Sequence, residues 1–236
     1  MAKVEVDCRY CHKSEDVKGH GKGHRGYPRY RCYACSKVFQ LAYTYQACKP
    51  GVKEQIIDMA MNNSGIRDTA RVLKVATAAV MKTLKNLTPG TGTTLPLDGD
   101  DIHLICEVDE QWSFVGSKKN QRGLWYAWEP RMKRIVAPTF GERSRKTLEK
   151  LLALLSPFNI RFYCTDDYAV YDCLPEEVHL TGKIFTQRIE RTNLTHRTRI
   201  KRRNRKTIGY SKSEDIHDKV IGTFIERERL FFNQPL

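Results

Sequence analysis

Four cysteines near the N-terminus, Cys8, Cys11, Cys32 and Cys35, are spaced C-x2-C-x20-C-x2-C. No other feature of the chain limits its possible folds so sharply. A CxxC turn presents two thiols to one side of a tight loop, and two such turns can surround one ion. The residues between them include GHGKGHRGYPRY, a Gly-rich polar stretch suited to loops and short strands. Four thiolates match tetrahedral Zn2+, although the same pairs could form disulfides. The opening MAKVEVDCRYC has no apolar core of a signal peptide, so a reducing cytoplasm is expected and zinc is the favoured state. Tyr30, Tyr33 and Phe39 are available to pack this module, which buries too little to fold without metal. His20 and His24 could serve as ligands, but four cysteines suffice. Cys48, Cys106, Cys164 and Cys173 lack the spacing and read as core or surface thiols. Residues 1–48 are therefore expected to form a zinc ribbon.

The 236 residues hold 41 Lys and Arg against 27 Asp and Glu, a formal net charge of +14. That imbalance points to a polyanionic partner. Nucleic acid is favoured over a membrane, since no apolar run approaches the roughly 20 residues of a spanning helix. Residues 49–87 read as three short helices. Ile56, Ile57 and Ala60 give the first an apolar face, Asn63-Ser64-Gly65 breaks it, and Ala70 and Leu73 mark the second. Lys74-Val75-Ala76 turns, and Thr77 can cap a third helix carrying Val80, Leu84 and Leu87. This is helix-turn-helix spacing, and it leaves Thr77, Ala78, Lys82 and Lys85 able to enter a major groove. An unspecialised three-helix unit would share the pattern.

Residues 88–101, rich in Gly, Pro and Thr, read as a linker. Beyond it, residues 102–236 change to a strand texture: HLICEVDEQWSFVGSK, GLWYAWEP and RIVAPTFG, separated by SKKNQRG and RMK. A helix over residues 144–155 carries Leu148, Leu151, Leu152 and Leu155. A strand over residues 160–165 follows, and helices return after Phe185. The order predicts an α/β domain with a mixed sheet. In this reading Asp109 ends the first strand, Asp166 follows the fourth, and Glu190 lies on a helix near the same edge. Acids at strand ends can converge and bind a pair of Mg2+ ions for phosphodiester chemistry. Singly, Asp166 could cap a turn, and Asp109 could share a solvated strand face with Glu107.

The segments EVDEQWSFVG, FGERS, LLSPFNIRFYCTDDYAVY and TQRIERTNLTHRTRIKRRNRKTIGYSKS closely resemble the insertion-sequence-one family of transposases. KPGVKEQIIDMAMNNSGIRDTARVL resembles the terminal-repeat-binding half of the same proteins. The resemblance implies a zinc ribbon and helix-turn-helix joined to a ribonuclease-H-like catalytic domain with an Asp-Asp-Glu triad. The triad falls on Asp109 of VDEQW, Asp166 of CTDD and Glu190 of RIER, with Mg2+ or Mn2+ as cofactor. Asp167 stands where a small residue commonly follows the second acid, which leaves the register between Asp166 and Asp167 open. Thr192 replaces a usual His. The resemblance further implies terminal inverted repeats and target DNA as partners, a homodimer or higher oligomer on synapsed ends, and a prokaryotic, nucleoid-associated location.

After Glu190 the chain is strongly basic. Asn193 and Arg197 share its helical face at offsets of three and seven residues, and Arg199, Lys201, Arg202, Arg203, Arg205 and Lys206 follow without an acid. The stripe is expected to lead phosphates to the metal site. The final segment places Ile216, Val220, Phe224 and Leu230 at helical spacing, a core pattern. Two other functions share these features: a catalytically inactive repressor that binds element ends, and a metal-dependent nuclease without strand transfer.

Overall fold

The computed structural model describes residues 5–23, 26–42, 45–90, 103–206 and 209–231, with side chains to residue 228. The first segment forms an antiparallel sheet of β1 (Val17–Lys22), β2 (Pro28–Cys32) and β3 (Val38–Gln40). Its core is small: Cys8, Cys32 and Phe39 are buried, and the rings of Tyr30 and Phe39 stack with centroids 5.8 Å apart. Tyr33, expected in this core, is instead 56% exposed. The cations of Lys18 and Arg31 lie over its ring, so it packs by cation–π contact on the surface.

Three helices follow, α1 (Val52–Met61), α2 (Ile66–Leu73) and α3 (Thr77–Lys85). Asn63 and Lys74 take positive φ, 67° and 53°, and end α1 and α2 where the sequence breaks its apolar period. Thr77 was expected as a cap but is the first helical residue. Ala76 occupies the cap position and offers no side-chain hydrogen bond. Ile56, Ala60, Ala70, Val80 and Leu84 make the core of this unit.

The larger domain is a five-stranded sheet in the order β6-β5-β4-β7-β8. β4 (Leu104–Val115), β5 (Ser117–Glu129) and β6 (Arg134–Gly141) form an antiparallel meander. β7 (Ile160–Thr165) and β8 (His179–Thr181) add to it in parallel. Two expectations change here. Ser117–Arg122, read as a separator, is the first half of β5, because the hairpin turns at Gly116 (φ 75°) and both arms stay paired. Asp109 does not end its strand but sits at its middle, with β4 running on to Val115.

Alternation along the strands builds two unlike faces. Cys106, Val108, Trp125 and Ala127 meet Leu148, Leu151 and Leu155 of α4 (Arg145–Leu155) on one side. On the other, Leu124, Tyr126 and Ile135 meet Ile189 of α5 (Lys183–Arg199) and Ile221 and Ile225 of α6 (Glu214–Phe231). The result is three layers, helix on sheet on helices. α6 does a second job: Val220, fully buried, belongs to the core of the three-helix unit. Leu230, expected in the same apolar stripe, has a side chain outside the described residues.

Residues 91–102 of the expected linker also lie outside the described residues. Pro89, just before them, packs close to Gly222 of α6. No helix among the described residues is long and apolar enough to cross a membrane.

Candidate active site and nucleic-acid interface

The four N-terminal cysteines come together as their spacing predicts. The Sγ atoms of Cys8 and Cys35 are 3.5 Å apart, as are those of Cys11 and Cys32, and all four lie within 4.8 Å of one another. A tetrahedral ion with bonds of about 2.3 Å to sulfur needs sulfurs slightly under 4 Å apart, so the cluster fits zinc with small adjustment. The thiols also divide as clustered thiols must. Burial raises the pKa of Cys8, but the amides of Tyr10 and Cys11 and the Cys35 thiol outweigh it and bring it to about 6. The Lys13 amide lowers that of Cys11, yet burial and the neighbouring thiols push it up to about 12. One thiolate forms readily and suppresses the next, which a divalent cation would reverse.

Along β4 a polar row faces α5: Glu107, Asp109, Gln111 and Ser113. This face is covered rather than solvated. Glu107, Gln111 and Ser113 are buried, and each has a partner. Glu107 accepts the Ile189 amide at 2.6 Å, and Ser113 Oγ meets His217 Nε2 at 3.0 Å. Between them, Asn193 of α5 acts as a junction. Its Nδ2 donates to Asp109 Oδ2, and its Oδ1 accepts from Gln111 Nε2 and, at 2.8 Å, from the Tyr126 hydroxyl. Arg203 extends the chain, donating to Gln111 Oε1 at 3.0 Å and to the Gln111 carbonyl at 2.7 Å.

Asp109 is thus clamped and its ionisation resisted. Burial, followed by the charge of Glu110 and, more weakly, of Asp166, pushes its pKa up to about 7 against the bonds from Asn193 and the Glu110 amide. Asp166 follows β7, the parallel neighbour of β4, and its Oδ1 is buried with no hydrogen-bond partner among the described residues. Asp167 points to solvent. Glu110, on the opposite face of β4, is held by Arg143 at 2.5 Å and the Tyr171 hydroxyl at 3.0 Å. Burial raises its pKa despite these partners.

Glu190 is exposed on α5, next to buried Ile189 and one turn before Asn193. Among the described residues, the cysteine cluster is the one group of three or more His, Cys, Asp or Glu whose ligand atoms all lie within 4.8 Å. Asp109 in the middle of β4, Asp166 just past β7 and Glu190 on α5 therefore stand wider than that. The donor set still fits a cation: an orphaned buried carboxylate oxygen beside a second, desolvated carboxylate is costly until a positive charge arrives.

The basic tract splits. Thr77, Lys82 and Lys85 are exposed on α3, and Lys201 and Lys206 are exposed after α5. Arg197 is half-buried within reach of the Asp109 charge, with burial first and Arg205 second lowering its pKa. The Arg205 guanidinium lies 4.7 Å from the centroid of the Trp112 ring. Arg199 is ion-paired with Glu228.

Asn193, Arg202 and Arg203, expected against DNA, are turned inward. Arg202 is 9% exposed and donates to the Ala60 carbonyl of α1 at 2.8 Å, while Arg203 is 1% exposed. α5 stops at Arg199 and the next turn tightens, which sends both guanidiniums into the protein. Gln111 and Tyr126 were missed altogether. The alternation E-V-D-E-Q-W-S holds the signal for Gln111, since polar residues at every second position of a covered strand must find partners.

A family profile described as IS1 transposase matches residues 103–231, and one described as InsA C-terminal domain matches residues 43–88. The chain is 59% identical over 129 residues to the insertion element iso-IS1n protein InsB of Shigella dysenteriae, covering 54% of this chain and 98% of that one. It is 43% identical over 143 residues to the insertion element IS1 9 protein InsB of Escherichia coli (strain K12), covering 60% of this chain and 86% of that one. A chain in the solved structure of a simian T-cell lymphotropic virus intasome in complex with PP2A regulatory subunit B56 gamma aligns with a TM-score of 0.37 at 12% identity over 70% of this chain and 66% of that one, a distant likeness.

Proposed function

Because the chain belongs to the IS1 transposase family, we propose that it binds the terminal inverted repeats of an insertion sequence, cuts at the element ends and joins the 3′ ends to target DNA. The observation that carries the reading is the placement of Asp109 on β4 and of Asp166 just past its parallel neighbour β7, the first resisting ionisation and the second with a buried oxygen that has no hydrogen-bond partner among the described residues. Asp109, Asp166 and Glu190 would hold Mg2+ or Mn2+. When bound, such ions supply hydroxide at neutral pH and stabilise the leaving oxygen of a phosphodiester.

The chain's own residues do the rest. Asn193 and the Glu110 amide fix the rotamer of Asp109, each donating to one of its carboxylate oxygens. Arg197 brings a positive charge to the same edge, and Arg205, Lys201 and Lys206 offer contacts to phosphates. Helix α3 presents Thr77, Lys82 and Lys85 to a major groove. Zinc at Cys8, Cys11, Cys32 and Cys35 holds the ribbon. A cytoplasmic, nucleoid-associated protein acting as a dimer or higher oligomer on paired ends follows from this reading.

Labelled end DNA, incubated with protein and Mg2+, provides the test. Asp109→Asn, Asp166→Asn and Glu190→Gln should each lose cleavage and joining by about a thousandfold while still binding DNA. Asp167→Asn should retain activity, and the reverse result would move the second ligand by one residue. Cleavage without joined products would identify a nuclease, and binding without cleavage a repressor.

A further inference from the structure

A groove follows the flank of α5 that faces away from Glu190 and Arg197. Two adjoining cavities, about 230 and 520 Å3, share Trp128, Lys133, Thr192 and Thr195 in their walls. At 3.6 residues per turn, Arg188, Arg191, Thr192, Thr195 and Arg199 fall within an arc of about 100°, opposite Glu190. The β5–β6 turn, with Lys133, forms the facing wall.

Charge and floor composition together select the occupant. The walls bring five cations, Lys133, Arg134, Arg188, Arg191 and Arg199, against a single acid, Glu228. That acid is already engaged by Arg199 and lies 3.8 Å from His196 Nε2. Lys133, Arg188 and Arg191 are exposed and make no ion pair among the described residues. The floor is apolar: half-buried Trp128, with Ile135 and Ile225 beneath. Beside them His196 is 2% exposed, and its Nδ1 has no hydrogen-bond partner among the described residues.

A duplex would use the cations alone, because its bases are stacked inside the helix and its outer contacts are phosphates. An unpaired strand uses everything present. Its phosphates suit Lys133 and the arginines, and a free base offers a flat apolar face to Trp128 and a polar edge towards His196.

We propose that this groove binds single-stranded DNA, with phosphates on Lys133, Arg188 and Arg191 and a base against Trp128. Only the source of the strand rests on the function proposed above: opening an element end frees one. The groove begins beyond the Glu107 end of the β4 row, with Trp128 the cross-strand neighbour of Glu107, and needs no metal.

The test uses the full chain and a single-stranded oligonucleotide carrying 5-iodouracil, irradiated and digested with trypsin. The expected crosslink falls in the peptide of residues 123–131. Trp125 and Tyr126 of that peptide are fully buried, so the adduct reports Trp128. Arg188→Glu combined with Arg191→Glu should weaken single-strand binding about tenfold and remove the crosslink, while binding of end-repeat duplex through α3 changes less than about twofold. Lys133→Glu, on the turn and outside α5, should act the same way if the helix changes disturb folding. Adducts confined to other peptides, unaltered single-strand affinity in these variants, or equal loss of duplex and single-strand binding would each overturn the proposal. Crosslinking requires no cleavage, so failure of the triad assignment leaves this result standing, and failure here leaves the triad variants inactive.

Discussion

At the scale of single residues, the proposed chemistry rests on Asp109 and on its partner Asn193. Asp109 has a folded pKa of about 7 against an ordinary value of 3.8, with burial as the main cause. A raised carboxylate pKa means that the folded state holds the proton more tightly than the unfolded chain. Its stabilising contribution is complete below the unfolded pKa and is lost as pH rises towards about 7. The metal-free protein should therefore lose stability between pH 4 and 7, and Asp109→Asn should flatten that slope. At pH 8 the variant should melt about 3 °C higher while remaining inactive, as calorimetry with and without Mg2+ can show. In the parent, Mg2+ should stabilise more at pH 8 than at pH 6, because binding displaces the proton. If Asp109→Asn leaves the pH slope as it was, some other acid controls it, with Glu107 and Glu110 the nearest candidates. Asn193→Ala removes the clamp and strands the Tyr126 hydroxyl and Gln111 amide. Turnover should fall about ten- to a hundredfold with end-DNA affinity unchanged. A loss of affinity equal to the loss of turnover would return Asn193 to the DNA surface.

Elements show a different limit of the sequence. The three helices at residues 52–85 were legible, because their apolar positions recur at helical spacing and their breaks coincide with positive-φ residues. What periodicity does not contain is the fourth wall of their core. Val220 of α6 supplies it, Arg202 ties α1 through the Ala60 carbonyl, and Lys219 reaches the Lys85 carbonyl at 2.7 Å. All three partners are more than a hundred residues away. The same blindness hid Ser117–Arg122 in β5, whose strand state comes from pairing with β4 and not from its own residues. It also hid the inward turn of Arg202 and Arg203, which depends on where α5 stops. The acids Asp109, Asp166 and Glu190 were proposed from motifs, and the strand end assigned to Asp109 was wrong because β4 continues past it. A testable consequence concerns the helix-turn-helix. A fragment of residues 1–87 should bind the repeat but melt well below the same unit in the full chain. Val220→Ala should cost about 1.6 kcal/mol, the value of two buried methylene-sized groups. If hydrogen exchange finds α1–α3 equally protected in fragment and full chain, the α6 contact adds nothing to their stability.

At the scale of the whole molecule, the ribbon has a core of its own, although Arg9, Arg29 and Phe39 line a cleft shared with Lys53 and Glu54 of α1. The helix-turn-helix shares a core with α6, and α6 shares another with the sheet, so those two parts are mechanically joined. The ribbon core of Cys8, Cys32 and Phe39, with Val6, Val17 and Tyr30 against it, draws on no residue beyond Phe39. So few apolar groups cannot offset the chain entropy of some forty residues, and the four thiols alone repel once more than one ionises. The ribbon should accordingly depend on metal for its fold, while the remainder does not. Purified protein should carry about one zinc per chain. A strong chelator should expose the amides of β1–β3 to hydrogen exchange, leave β4–β7 protected, and weaken binding to end DNA without altering single-strand crosslinking at Trp128. Cys8→Ser should reproduce the chelated state, since loss of one thiolate removes a quarter of the ligand set and Cys8 is the thiol that ionises first. Zinc-free protein with a protected ribbon would refute this account of the cysteine cluster. Collapse of the whole chain on chelation would show instead that the ribbon supports the catalytic sheet through contacts with the rest of the molecule.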